Sequence, residues 1–399
     1  MSLTAIAARK VFTPLEIIEN GLVVVEDGTI QSLGSREEIA VPTAARFVDV
    51  GDRILAPGFV DVHIHGGAGY DLTEATPEAL IAVAQLLARH GTTCFLPTTL
   101  SASEAVLLPA VENLSRLLQS WGGEQASWGE PLATPLGLHL EGPFLSADYR
   151  GVHPAAFLRK PSLPLFQKLF QAAQGSLKVL TLAPELEGAL ELQAEATRRG
   201  VKVALGHSNA TYEQAMKAIE AGASHAVHVF NAMRPFGHRD PGLLGAILTE
   251  DRLPAEVIAD GIHVSAAAMR LLVRAKGADN ILLVTDGVSA TGMGPGIYRL
   301  GTTEIFIEPD PPTGALACRN REGKLAGSVL TQDVAIRNTV IFTGVSLCEA
   351  VKMASWNPAR VLGLERKGCI RPGADADLVV LEPDGTIVGT MVLGAANFL

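Results

Sequence analysis

The sequence has no pair of cysteines at metal-binding or redox spacing. Its four cysteines, Cys94, Cys318, Cys348 and Cys369, stand apart in apolar contexts. They read as reduced, structural thiols, and those contexts argue against a catalytic nucleophile. There is no basic excess either: 32 Lys and Arg face 42 Asp and Glu, a net charge of −10. That balance argues against a nucleic-acid surface, while a local basic pocket for a small acidic ligand stays open. No apolar run is long enough to span a bilayer, and no basic segment with an apolar stretch behind it opens the chain. No membrane partner is expected, and cytoplasm is the expected location. No internal repeat is evident. The 40 glycines and 23 prolines are dispersed, so they punctuate loops and do not signal low complexity.

What remains is the pattern of a large α/β protein. A length of 399 residues fits two or three average domains, or one large barrel with a smaller domain attached. Residues 1–57 read as short strands broken by turns, with an Asp27-Gly28 hairpin signal between Leu22–Val25 and Thr29-Ile30. From Gly58 the rhythm becomes alternating strands and helices. Strands are expected at 59–65, 93–97, 135–140, 178–183, 201–206, 224–229, 255–260 and 281–286. Thr76-Pro77 reads as a helix start that Gly91 closes, and Ser101–Glu104 and Thr211–Gln214 have capping-box spacing. Eight alternations predict a (β/α)8 barrel, with a doubly wound sheet as the competing fold. Residues 295–324 look like an insertion with β-like pieces, and helices resume near 329–342 and 346–355. The tail returns to short strands, such as Asp377–Leu381 and Ile387-Val388. Residues 1–57 and 361–399 are therefore expected to build one small discontinuous β-sandwich domain beside a catalytic barrel of 58–360.

The chemistry is expected at the C-terminal ends of the barrel strands. In Phe59–Gly67, strand alternation puts Asp61, His63 and His65 on one face and Val60, Val62 and Ile64 on the other. Later strands end in His139-Leu-Glu141, His207, His228 and Asp286. A lone buried histidine is usually a hydrogen-bonded core residue, and a lone strand-end aspartate often caps a helix. Four His, one Glu and one Asp at five strand ends instead match a ligand set for one or two divalent transition metal ions, Zn²⁺ or Fe²⁺. His90 reads as a helix-end residue and His225 as structural. His139 is expected behind the ligands rather than among them.

These motifs resemble the amidohydrolase superfamily. Within it, His-Leu-Glu-Gly-Pro-Phe, Leu-Gly-His-Ser, His-Val-Phe-Asn-Ala-Met, Asp-Gly-Ile-His and Val-Thr-Asp-Gly resemble the family that deacetylates N-acetylglucosamine 6-phosphate. The resemblance spans nearly the whole chain. No strand-end lysine offers a carbamate bridge, and the resemblance puts Glu141 in that place. It implies that Glu141, His207 and His228 hold the tighter metal. His63 and His65, with Glu141 bridging and Asp286 close by, would hold a second. It assigns Asp286 as general base and acid, and His153 as the donor to the forming oxyanion. Metal coordination lowers the pKa of water from about 15.7 toward about 7, which makes an amide hydrolysable at neutral pH. Arg239, His263 and the backbone at Asn231-Ala232 would meet the phosphate. Val152 with Leu325, Ala326 and Gly327 would border the sugar. The implied partner is an amino-sugar phosphate, and the implied assembly a homodimer with shared active-site residues. The competing function is another amidohydrolase acting on a different N-acyl or cyclic amide substrate, which would not need Arg239 and His263.

Overall fold

The computed structural model describes residues 3–122 and 130–398. Eight barrel strands run Phe59–Ile64, Thr92–Thr99, Leu138–Glu141, Leu177–Leu182, Lys202–Leu205, His225–Ala226, Ala255–Val257 and Ile281–Leu283. Each pairs in parallel with the next. The ring closes where Ile64 bridges Gly287, with Asp286 N–H donating to the His63 carbonyl at 2.9 Å. That closure removes the doubly wound alternative, and the strand-end residues therefore converge on one mouth.

The alternation read in the first strand holds. Val60 and Val62 pack in one apolar cluster with Ile336, Ala350 and Val351, and Ile64 packs with Leu80 and Val83. Asp61, His63 and His65 point the other way, and all three are buried. The helix Pro77–Arg89 starts on Thr76, whose side chain accepts from Ala79 N–H. Tyr212–Glu220 starts on a capping box of Thr211 and Gln214. The box expected at Ser101–Glu104 does not form. That helix, Glu104–Ser120, begins after Ser103, which makes no side-chain cap. Ser101 lies two residues too early for the role, and its hydroxyl sits 2.9 Å from His153 Nδ1 instead.

Both chain ends enter one eight-stranded sheet. Leu378–Leu381 pairs antiparallel with Ile54–Pro57, which also lies beside Leu3–Phe12. Hydrogen bonding runs continuously through the sheet. Its two halves share a core in which Ile6, Val23 and Ile30 meet Leu378, Val380 and Met391. After the eighth barrel strand comes a three-stranded antiparallel unit, Gly296–Leu300, Thr303–Pro309 and Leu316–Asn320. Its Leu300, Ile305 and Ile307 pack with Leu100, Val288 and Ala290, so it sits over the barrel mouth on the side of strands two and eight. No helix among the described residues is long and apolar enough to cross a membrane.

Candidate metal centre

Six strand-end and loop residues expected at the site come together around Glu141. Its Oε1 lies 3.1 Å from His207 Nε2, 3.0 Å from His228 Nε2 and 3.3 Å from His63 Nε2. Its Oε2 lies 3.0 Å from His153 Nε2 and 3.4 Å from His65 Nε2. Asp286 Oδ1 lies 3.2 Å from His65 Nε2 and 3.7 Å from His63 Nε2. All seven are buried. Three of them leave their strands in left-handed backbone: His207 at φ 47°, His228 at φ 26° and Asp286 at φ 49°. Non-glycine residues there store strain, which is tolerated where geometry is needed at a site.

The partner at the far nitrogen sorts the imidazoles. His65 Nδ1 faces the Thr98 carbonyl at 3.2 Å, and His207 Nδ1 faces the Tyr149 carbonyl at 2.9 Å. A carbonyl only accepts, so Nδ1 carries the proton and Nε2 presents a lone pair to the centre. His63 does the same through Glu256, whose Oε2 lies 3.0 Å from Nδ1. His153 is the reverse. Ser101 N–H donates to its Nδ1 at 3.2 Å, so the ring proton sits on Nε2 and points into the site.

Burial and the neighbouring charges set His207 apart from His63 and His65. Asp61, Glu141, Glu256 and Asp286 are buried together. The buried lysines of the described chain, Lys276 and Lys367, are bound elsewhere, to the Glu250 carbonyl and to Asp377. Burial raises the Asp61 carboxyl to about 7. Burial also pushes Glu141 up, but the charges of His63 and His207 and the His153 hydrogen bond outweigh it, and Glu141 is held well below the usual range. Burial lowers His63 and His65. Glu141 and Glu256 outweigh it at His63, which is raised, and Asp286 and Glu141 outweigh it at His65, raised to about 9. Burial wins at His207, which falls to about 4. A neutral imidazole lone pair and a carboxylate oxygen face each other across a gap that suits a cation. Donors of N and O type, closed around that gap, fit a divalent transition metal.

A cavity of about 190 Å³ opens over this centre. Val152, Asn231, Ala232, His263, Leu325 and Gly327 line it. Ala326 is fully buried between two of them. His263 Nδ1 lies 2.6 Å from Asp260 Oδ2; burial lowers its pKa, but that bond and charge raise it overall. Arg239 lies exposed on the loop before Gly242–Thr249 and does not line the cavity of its own chain. The helix-end residue His90 meets Asp333 at 3.0 Å, and His225 meets Glu256 at 3.0 Å, both away from the cavity. His139 packs edge-on against the His63 ring, with centroids 4.7 Å apart, and bonds Thr181, behind the centre.

Sequence reading missed Glu256 and Ser101. Glu256 had a signal, a lone carboxylate inside the apolar strand Ala255–Val257. Ser101 had none, because its spacing to Glu104 fitted a helix cap.

An amidohydrolase family model matches residues 54–396. The chain therefore belongs to the amidohydrolase family, whose members are hydrolases. Among its relatives, the human N-acetylglucosamine-6-phosphate deacetylase is 41% identical over 359 residues, 87% of this chain and 84% of that one. The Escherichia coli O157:H7 N-acetylgalactosamine-6-phosphate deacetylase is 37% identical, covering 94% of both chains. A variant of the Mycobacterium smegmatis N-acetyl-D-glucosamine-6-phosphate deacetylase, solved with N-acetyl-D-glucosamine-6-phosphate, superposes with TM-score 0.90 at 33% identity, covering 99% of both chains.

Proposed function

We propose that this chain hydrolyses the acetamide of N-acetyl-D-glucosamine 6-phosphate, giving D-glucosamine 6-phosphate and acetate in amino-sugar catabolism in the cytoplasm. The observation that carries the reading is the lone pair of His207 Nε2 set 3.1 Å from an ionised Glu141, beside a His153 Nε2–H aimed into the same space. The first is a cation seat and the second an oxyanion donor, the two things an amide needs.

On this reading Glu141, His207 and His228 hold one divalent ion. His63 and His65, with Glu141 and Asp286, hold a second where one binds. Zinc or iron fits the donor set. Such an ion supplies Lewis-acid polarisation and makes water acidic enough to attack at neutral pH. Asp286 takes the proton of the attacking water and returns it to the nitrogen as the C–N bond breaks. His153 donates its Nε2–H to the carbonyl oxygen as charge builds there. His263, Asn231 and the Ala232 backbone hold the sugar phosphate, and Val152 with Leu325–Gly327 borders the sugar. Arg239, exposed on its own chain, would reach the phosphate of a second copy in a homodimer. The catalytic unit would then be residues 58–360, with residues 1–57 and 361–399 as the small β domain.

The position of Arg239 outside its own cavity favours a second reading, an amidohydrolase acting on a different N-acyl or cyclic amide substrate. Incubating the metal-replete protein with N-acetyl-D-glucosamine 6-phosphate separates the two. Equimolar acetate and free amine support the proposal, with loss of release on chelation and recovery on adding Zn²⁺ or Fe²⁺. No acetate from the metal-replete protein would overturn it. The 4-epimer named in the Escherichia coli relative is assayed alongside.

A further inference from the structure

The cavity over the metal centre has two unlike sides. Asn231 and His263, from the ends of strands six and seven, make one side polar. Leu100, Val152 and Leu300 make the other side apolar. Leu100 follows the second strand directly, next to the serine that orients His153, and Leu300 ends the first strand of the inserted three-stranded unit. Behind these three side chains lies a second cavity of about 400 Å³, which they also line, together with Ala102, Val106 and Phe157. Leu100 and Leu300 are both buried, in the same apolar cluster.

We infer that Leu100 and Leu300 form the wall of an acyl subsite that limits the substrate to an acetyl group. This rests on the proposed deacetylation. The amide carbon has three substituents to place. Its oxygen faces the His153 donor, and its nitrogen, with the sugar and phosphate attached, faces Asp286 and the polar side. The acyl methyl is left for the apolar side, where a longer chain meets the wall. The inserted unit thus does more than cover the mouth: it carries half of the specificity element. Truncating the wall joins the two cavities and admits propanoyl and butanoyl chains.

The test measures kcat/KM for N-acetyl, N-propanoyl and N-butanoyl glucosamine 6-phosphate in the wild type, Leu300→Ala and the milder Leu300→Val. Leu325→Ala, on the sugar side, is the control. One methylene in an apolar pocket is worth about 10- to 200-fold in discrimination. The wild type is expected to reject the butanoyl substrate by at least that margin. Leu300→Ala should raise the butanoyl-to-acetyl ratio about tenfold or more, Leu300→Val by less, and Leu325→Ala not at all. A wild type that cleaves both substrates equally, or a ratio unmoved by both Leu300 variants, overturns the wall. A wild type that releases no acetate overturns the deacetylase reading instead, so the two failures are distinguishable.

Discussion

His207 Nε2 and Glu141 Oε1 lie 3.1 Å apart, and neither atom carries a proton. The His207 ring proton is committed to the Tyr149 carbonyl at 2.9 Å, and burial holds the imidazole neutral with a pKa of about 4. Glu141 is held ionised by the histidines around it despite its burial. Two facing acceptors in a dry site repel unless a cation joins them. His207→Ala is therefore expected to lose the tightly held ion, measured as metal per chain after dialysis. Retention of the full wild-type metal content would show that the ion is held elsewhere.

His153 sits in the same ring of side chains but with its proton turned the other way, because Ser101 N–H occupies Nδ1. His153→Phe should keep its metal and lose about 100- to 1000-fold in kcat, the usual effect of removing one oxyanion donor. KM should change little. A His153 variant that instead loses metal would reassign the residue as a ligand.

Glu256 holds His63 Nδ1 at 3.0 Å, contacts His225 at 3.0 Å and accepts the His228 N–H at 3.4 Å. It is fully buried and does not line the cavity over the centre. Carboxylates in that position typically tune metal affinity by about 10- to 100-fold. Glu256→Gln should weaken binding of the ion at His63 and His65 by that factor while the ion at His207 stays. A metal titration with two resolved sites reads this directly, and equal weakening at both would mean a general loss of structure.

The barrel and its chemistry were legible because the signals are local. Short apolar stretches ending in or just before His, Glu or Asp identify both the strand and the end that matters. That local logic says where Arg239 stands, before the helix Gly242–Thr249, but nothing of which way its loop turns. It failed at Ser101 because Ser-x-x-Glu is a short pattern, and the strand Thr92–Thr99 runs far enough that the helix starts two residues later. The apolar wall of Leu100 and Leu300 joins residues 200 positions apart, a contact that periodicity cannot reveal.

Away from the site, Asp333 makes a measurable contribution. It meets His90 at 3.0 Å and Arg337 at 3.1 Å, and accepts the Thr331 hydroxyl at 2.6 Å. Burial opposes its charge, but these partners hold its carboxyl at about 2. A folded-state pKa below the unfolded value stabilises above about pH 4, and that stability is lost as the pH falls toward 2. The shift is worth roughly 2 kcal/mol at neutral pH. Asp333→Asn should lower Tm at pH 7, and its deficit should shrink between pH 4 and pH 2. A deficit independent of pH would assign the effect to packing.

The most direct test of the account compares acetate release from N-acetyl-D-glucosamine 6-phosphate and from unphosphorylated N-acetyl-D-glucosamine, in the wild type and in His263→Ala. His263, lowered by burial but raised overall by its bond to Asp260 at 2.6 Å, presents its ring to the polar side of the cavity. The account expects kcat/KM to favour the phosphorylated sugar by about 100-fold, since hydrogen bonds to a charged group contribute about 1.5–3 kcal/mol each and two are expected, from His263 and the Asn231-Ala232 backbone. It also expects His263→Ala to erase much of that preference. Equal rates on the two sugars in the wild type would contradict it.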